Sequence, residues 1–159
     1  MNIDPRELRN ALGRFATGVC VITTTRDGKA PSGMTVNSFS SVSLDPPLIL
    51  WSLQKDSECF EDFSSSKQFA VNILAQQQQA LSNQFAKKGE HDLPPGSYYQ
   101  GRTGCVVLRD VIASFECDTD AIHDGGDHII IVGRVKEMNS DPAYRKPLVF
   151  FSGKYRELK

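Results

Sequence analysis

GMTVNSFSSVS, from Gly33 to Ser43, is the stretch whose reading decides how the rest of the chain is arranged. Residues of strand character (Met34, Val36, Phe39, Val42) are interleaved with short hydroxyl and amide side chains (Thr35, Asn37, Ser38, Ser40, Ser41, Ser43). A strand interrupted in this way presents backbone N–H groups and small polar side chains where a ligand can approach closely. The run holds no acid and no base. Such a surface suits a flat, acceptor-rich ligand that brings its own chemistry better than one needing a protein nucleophile.

Upstream, Val19 to Thr25 is β-branched almost throughout and predicts a strand. Asp27-Gly28 supplies a hairpin turn, and Ala30 to Val36 returns as its partner. Asp4-Pro5-Arg6-Glu7 reads as a helix start with Asp4 as N-cap. Leu8, Ala11, Leu12 and Phe15 then form one apolar face, and Ala16-Thr17-Gly18 ends the helix.

Downstream, Leu44-Asp45-Pro46-Pro47 predicts an extended break, because proline cannot donate to a strand ladder and restricts the residue before it. Leu48 to Leu53 is a further strand, and Ser57 reads as the N-cap of a short helix burying Cys59, Phe60 and Phe63. Phe69 to Leu74 is a strand, and Gln76 to Phe85 a helix with Ala80, Leu81 and Phe85 on one side. The polar, Gly- and Pro-containing segment from Ala86 to Gly101 is long enough to predict a lid or exposed excursion. Strands follow at Cys105 to Leu108, Val111 to Thr119, His128 to Met138 and Pro147 to Phe151. His123 to Asp127 forms one turn, and Ser152 to Tyr155 closes the last strand. His128 to Val135 is apolar at nearly every position, which predicts a strand covered on both faces, by helices or by a second subunit.

Strands adjoin strands rather than alternating with helices, so a doubly wound parallel sheet is disfavoured. The pattern is that of one mainly β domain over residues 1–159, an antiparallel Greek-key-like barrel with peripheral helices. Its 159 residues suffice for a single core. With 18 basic and 19 acidic side chains the net charge is -1, which gives no electrostatic case for nucleic acid or an anionic membrane. No apolar run reaches the ~20 residues of a membrane span, and the polar start MNIDPREL predicts a cytoplasmic protein rather than a secreted one. The cysteines, Cys20, Cys59, Cys105 and Cys117, are dispersed with no CxxC pair, so they read as reduced packing residues and not as a metal site. GxGxxG and GxxxxGK[ST] are both absent.

The order FATGVCVITT (Phe15–Thr24), GMTVNSFSSVSLDPPLIL (Gly33–Leu50), FAVNIL (Phe69–Leu74), GDHIIIVGRV (Gly126–Val135) and PLVFFSGKY (Pro147–Tyr155) closely resembles the flavin reductase family. These are the small NAD(P)H:flavin oxidoreductases of two-component monooxygenases. The resemblance implies a split β-barrel, a homodimer, a site for FMN or FAD, NADH or NADPH as hydride donor, and a partner monooxygenase that takes the reduced flavin. It lays the flavin along Met34, Thr35, Val36, Asn37 and Ser38, and across Ser52, Leu53 and Gln54. Ser57 and the region from Phe85 to Lys88 resemble the positions that reach the phosphate and ribityl end, and Lys55, close to Ser57, adds a cation of the kind a phosphate prefers. His128 matches the residue near the flavin and nicotinamide rings, and Gly153, Lys154 and Tyr155 resemble a segment that helps hold the nicotinamide nucleotide. The absence of an arginine cluster leans to NADH. A flavin-binding electron carrier or store without reductase activity is the alternative on the same barrel.

Overall fold

Asp4 opens the first element: its carboxylate accepts the Arg6 N–H at 2.7 Å, and Pro5 sits where its missing N–H is not needed. A computed structural model describes residues 2–159. In chain order the elements are α1 (Pro5–Leu12), β1 (Thr17–Gly18), β2 (Cys20–Arg26), β3 (Lys29–Val36), β4 (Ser40–Leu44) and β5 (Pro47–Gln54). Then come α2 (Phe60–Ser64), β6 (Gln68–Ile73), a 3₁₀ turn at Gln76–Gln78, α3 (Gln79–Ala86), β7 (Tyr98–Gln100) and β8 (Val106–Leu108). β9 (Ala113–Gly125), β10 (His128–Ser140), β11 (Val149–Phe151) and β12 (Lys154–Arg156) complete it.

The main sheet has seven strands in the order β3-β2-β6-β9-β10-β5-β4, with every neighbouring pair antiparallel. β3 and β4 are therefore its opposite edges, yet only Asn37, Ser38 and Phe39 join them. A link of that length spans at most about 15 Å, so the sheet must curl until its edges approach. No ladder joins those edges among the described residues, and the result is an antiparallel barrel split along one seam. The stretch from Gly33 to Ser43 is thus the end of one edge strand, the crossing of the seam, and the start of the other edge strand.

Among the described residues two large clusters and a small one, Ala70 with Cys105 and Val107, form the core. Inside the barrel, Trp51 meets Phe63 and Phe69 edge-on with ring centroids 5.4 and 5.9 Å apart, and Ile22, Leu53, Val71, Ile129 and Ile131 surround them. Outside, Val19, Val21, Leu74, Phe85, Leu93, Val106, Leu108 and Leu148 pack together. Each such side chain, fully buried, contributes roughly 1.5–3 kcal/mol. β2 therefore has cover on both faces, which is why its sequence is apolar or β-branched without alternation. Asn72 pins the layers: its amide nitrogen donates to the Val21 carbonyl at 2.9 Å and its oxygen accepts the Leu108 N–H at 2.9 Å. Gly133 is required by close packing, since a Cβ there would lie 2.5 Å from the Phe69 ring. The thiols of Cys20, Cys59, Cys105 and Cys117 are free and buried; burial pushes Cys20 and Cys117 up to about 12 and Cys59 up to about 11.

Several local expectations are corrected. The Pro46-Pro47 segment is a tight turn between paired strands, with Leu44 opposite Pro47, because Pro47 sits where no ladder donor is needed. Of the two kinds of cover expected for His128 to Val135, helices of the same chain do not supply it: burial alternates, Ile130 and Val132 are half-buried, and the chain itself covers one face of β10. The apolar side of α1 is not buried at all: Leu12 is 66% and Phe15 81% exposed. Ala80 is exposed on α3, which buries Ser82 and Phe85 instead. The segment 86–101 is held down rather than free: Leu93 is buried, Ser32 and Asp92 form a β-bridge, and Tyr98–Gln100 pairs with β8.

Candidate functional site

At the seam a cleft of about 460 Å³ opens between the end of β3, the end of β5, the end of α3 and the first residue of β10. That volume falls within the ~300–1,000 Å³ of small-molecule sites. Of the residues expected from the sequence it gathers Met34, Thr35, Val36, Asn37, Ser38, Ser52, Gln54, Ser57, Phe85, Lys88 and His128. These come from four separate parts of the chain, brought together by the β5–β10 ladder, which sets His128 opposite Gln54, by α3 fastened to β3, and by the approach of the sheet edges at the seam.

Many of the hydroxyls are already engaged within the protein. Ser38 Oγ accepts the Ser52 N–H at 2.9 Å and donates to the Ser52 carbonyl at 3.3 Å, tying the seam crossing to β5. Thr35 Oγ1 donates to the Ser82 carbonyl at 2.7 Å and so fastens β3 to α3. Ser57 Oγ accepts the Cys59 N–H at 3.1 Å and faces Met34 Sδ at 3.6 Å. Asn37 is exposed, and its amide has no hydrogen-bond partner among the described residues. Gly33 lets α3 and the following segment close on β3: a Cβ there would sit 3.3–3.4 Å from Val21, Leu93 and Phe85.

Some expected residues lie elsewhere. Leu53 points into the barrel core and is fully buried, because alternation along β5 sends Ser52 and Gln54 to the cleft and Leu53 inward. Lys55 gives its ammonium to Asp124 at 2.5 Å and does not line the cleft. Ser57 caps a turn instead of the helix, since α2 begins only at Phe60 and its N-cap position is Cys59. Gly153, Lys154 and Tyr155 form the β11–β12 hairpin, with Gly153 at the left-handed φ of +75° that the turn requires. Tyr155 lines a neighbouring hollow of about 200 Å³ that also touches Thr35, Val36 and Asn37, and its hydroxyl meets Ser82 Oγ at 2.6 Å. This second hollow lies along the same strand end as the cleft.

His128 is half-exposed at the cleft, with Nδ1 2.7 Å from Asp127 Oδ1. That hydrogen bond holds the Asp127 carboxyl below the usual carboxylate range, and Lys55 does the same to Asp124. The β9–β10 turn that carries His128 is anchored by the Lys55 N–H donating to the Asp127 carbonyl at 2.9 Å. Ala86, within the expected Phe85 to Lys88 region, lines the cleft as well; sequence reasoning missed Asp56, Glu58 and His91, which also line it. His91 belongs to the segment read as a lid or exposed excursion and Glu58 to the short helix expected after Ser57, and their convergence has no local signal.

The site's chemistry fits a flavin. It offers a free amide at Asn37, exposed main chain at the seam, a cation at Lys88 and an imidazole at His128, with no nucleophile–base pair.

Comparison with known proteins agrees. Residues 12–159 match the family described as flavin reductase like domain. The "Probable flavin reductase" of Rhizobium meliloti is 48% identical over 132 residues, 83% of this chain, which spans 42% of that protein's length. The FMN reductase (NADH) SmoA of Agrobacterium fabrum is 48% identical over 132 residues, 82% of this chain and 74% of the relative. The reductase subunit HsaB of a Mycobacterium tuberculosis flavin-dependent monooxygenase is 35% identical over 154 residues, 96% of this chain and 82% of its own. Among solved structures, the NADH:FAD oxidoreductase SgcE6 of Streptomyces globisporus, in complex with NAD and FAD fragments, superposes with a TM-score of 0.90. It is 32% identical, and the match covers 100% of this chain and 97% of that one. A match over nearly the whole chain, on the barrel and seam that build the cleft, has one meaning: the chain belongs to the flavin reductase family.

Proposed function

We propose that the protein reduces FMN or FAD with NADH or NADPH and supplies the reduced flavin to a partner flavin-dependent monooxygenase. The observation that supports this reading is the cleft at the barrel seam of a flavin reductase family chain, which gathers most of the residues to which the sequence resemblance assigns the flavin. A flavin held there would supply the hydride chemistry itself, which leaves this chain the task of orientation.

Each group in the cleft has a part in that task. Asn37 and the adjoining main chain hydrogen-bond the acceptor edge of the ring system, and Ser38 holds that main chain against β5. Lys88 offers its charge to the phosphate. His128, steadied by Asp127, lies at the ring end and positions the nicotinamide. Tyr155, in the hollow beside Asn37, borders the space left for the nucleotide. The NADH-specific name of the Agrobacterium relative and the NAD-bound Streptomyces structure favour NADH over NADPH.

The working unit in this reading is a homodimer. Leu8 and Leu12 on α1, Phe15 just beyond it, Val42 and Leu44 on β4, and the half-buried outer face of β10 leave apolar surface that a second copy would bury. Free buried thiols suit a reducing, cytoplasmic setting.

The deciding experiment mixes purified protein with NADH or NADPH and excess FMN or FAD and follows nicotinamide absorbance. Flavin-dependent oxidation of a nucleotide is expected. None with either nucleotide would leave only a flavin-binding carrier.

A further inference from the structure

A second cavity, of about 430 Å³, lies on the far side of Tyr155 and shares no residue with the cleft. Its walls are the start of α3 with the 3₁₀ turn before it, the segment 145–148 between β10 and β11, and the end of β12. Backbone contacts fix the first two walls to each other. Gln76 N–H donates to the Lys146 carbonyl at 2.9 Å, Leu148 N–H donates to the Leu74 carbonyl at 3.0 Å, and Ala75 and Pro147 form a β-bridge.

Charge and chemistry narrow the occupant. Arg145, Lys146 and Arg156 line the cavity against one carboxylate, Glu157. Arg145 donates from Nε to Asp141 and from Nη2 to the Val111 carbonyl at 3.2 Å, so its guanidinium is held in place and its charge partly met. Lys146 and Arg156 are exposed and make no ion pair among the described residues. Unpaired cations around a concave site suit phosphate oxygens. Leu148 and the Tyr155 ring add apolar surface for a base, and the Tyr155 hydroxyl is fixed by Ser82 Oγ at 2.6 Å and Asn83 Oδ1 at 3.1 Å. The Gln76 amide oxygen is buried with no hydrogen-bond partner among the described residues, an acceptor for a ribose hydroxyl or an exocyclic amine. Phosphate, ribose and base together make a nucleotide.

Position narrows it further. Tyr155 also walls the hollow that shares Thr35, Val36 and Asn37 with the cleft, so cavity, hollow and cleft follow one another. α3 runs beside all three: Gln79 at its first residue lines the cavity, Ser82 the hollow, and Phe85 near its end the cleft. From Gln79 to Phe85 a helix rises about 9 Å, a span that the linked riboses and phosphates of a dinucleotide cover.

Resting on the flavin reading above, we infer that this cavity binds the adenosine diphosphate half of a dinucleotide whose redox-active ring lies in the cleft. Arg145, Lys146 and Arg156 lend charge to its phosphates, Tyr155 and Leu148 border its base, and Gln76 accepts from its ribose or base. The nicotinamide nucleotide and FAD both carry that half. FMN lacks it, so FMN affinity is the internal reference.

The test is calorimetry with ADP as the probe, on the protein alone and on the protein saturated with FMN. ADP is expected to bind in both, more weakly as salt rises. The double variant Lys146→Glu, Arg156→Glu is expected to bind ADP about tenfold more weakly. Lys29→Glu with Lys67→Glu makes the same change in net charge around a different cavity and is expected to bind ADP like the parent. No binding of ADP to the parent, displacement of ADP by FMN, or parental affinity in the Lys146 and Arg156 variant overturns the inference. Two further measurements on that variant identify the dinucleotide. A rise of about tenfold in the KM for NADH, with FMN as acceptor, assigns the cavity to the nicotinamide nucleotide, and a fall of about tenfold in FAD affinity relative to FMN assigns it to the flavin. Neither change, with ADP binding weakened, leaves a site for free nucleotides only and overturns the link to the cleft. A parent that binds ADP but neither binds FMN nor oxidises NADH removes the flavin reading, and the link with it, while keeping the nucleotide site.

Discussion

Ser38 Oγ and the main chain of Ser52 hold each other in both directions, accepting at 2.9 Å and donating at 3.3 Å. This pair ties the crossing of the barrel seam to a strand that lines the cleft. Ser38 therefore shapes the site, while its exposed neighbour Asn37 is free to bind.

The two should separate experimentally. Asn37→Ala is expected to weaken FMN binding about tenfold with an unchanged melting temperature. Ser38→Ala should weaken binding and also cost about 1–2 kcal/mol of stability, because it leaves the Ser52 N–H without its partner. Fluorescence titration and thermal melts of the two variants check this. FMN bound as tightly as by the parent in the double variant would remove both residues from the flavin site.

His128 and Asp127 act on a different step. His128→Ala is expected to slow stopped-flow flavin reduction by about 10²-fold, the scale of a misplaced reactant, with a smaller change in FMN affinity. Asp127→Asn keeps a partner for Nδ1 and should fall between. Unchanged reduction rates in His128→Ala would exclude the positioning role.

Core packing predicts a third result. Gly133→Ala places a methyl group 2.5 Å from the Phe69 ring, with Cys117 and Ile49 at 3.1 and 3.2 Å, so buried neighbours must shift and the change should cost about 1–3 kcal/mol. Gly18→Ala, with nothing within 4 Å of its Cβ, serves as the control. Urea denaturation of both variants is the measurement.

Acid should loosen the β9–β10 turn. Asp124 and Asp127 have carboxyls held below their ordinary value by Lys55 and His128, and Arg145 does the same for Asp141. Depressed carboxylates stabilise the fold above their unfolded value, near 4, and lose that contribution as pH falls through the lower folded value. Asp124 and Asp127 are exposed and Asp141 is half-buried, so the effect is small. Amide exchange near Lys55 and Gly125 is expected to quicken below about pH 4, and less so in Asp124→Asn, which has no charge to lose.

Much of the local structure was legible in the chain. The Asp4 cap, the Asp27-Gly28 hairpin, the β-branched Val19–Thr25 run and the strands either side of Ser43 depend on neighbours in sequence. Leu53 shows where such reading stops: alternation along β5 faces it into the core while Ser52 and Gln54 reach the cleft. The same holds for Lys55, whose partner Asp124 is far along the chain, and for α1, whose apolar face finds no cover within this chain.

The amino-acid sequence by itself determined the element types, the mainly β architecture, the family and most of the residues around the cleft, because patterning, caps and turns are local and motif order is linear. Only the tertiary structure decided which of those residues share a cavity and which hydroxyls are already spent. The same is true of Glu58 and His91 meeting against Gly33, since closure of a seven-stranded sheet sets distances between residues that no local periodicity relates.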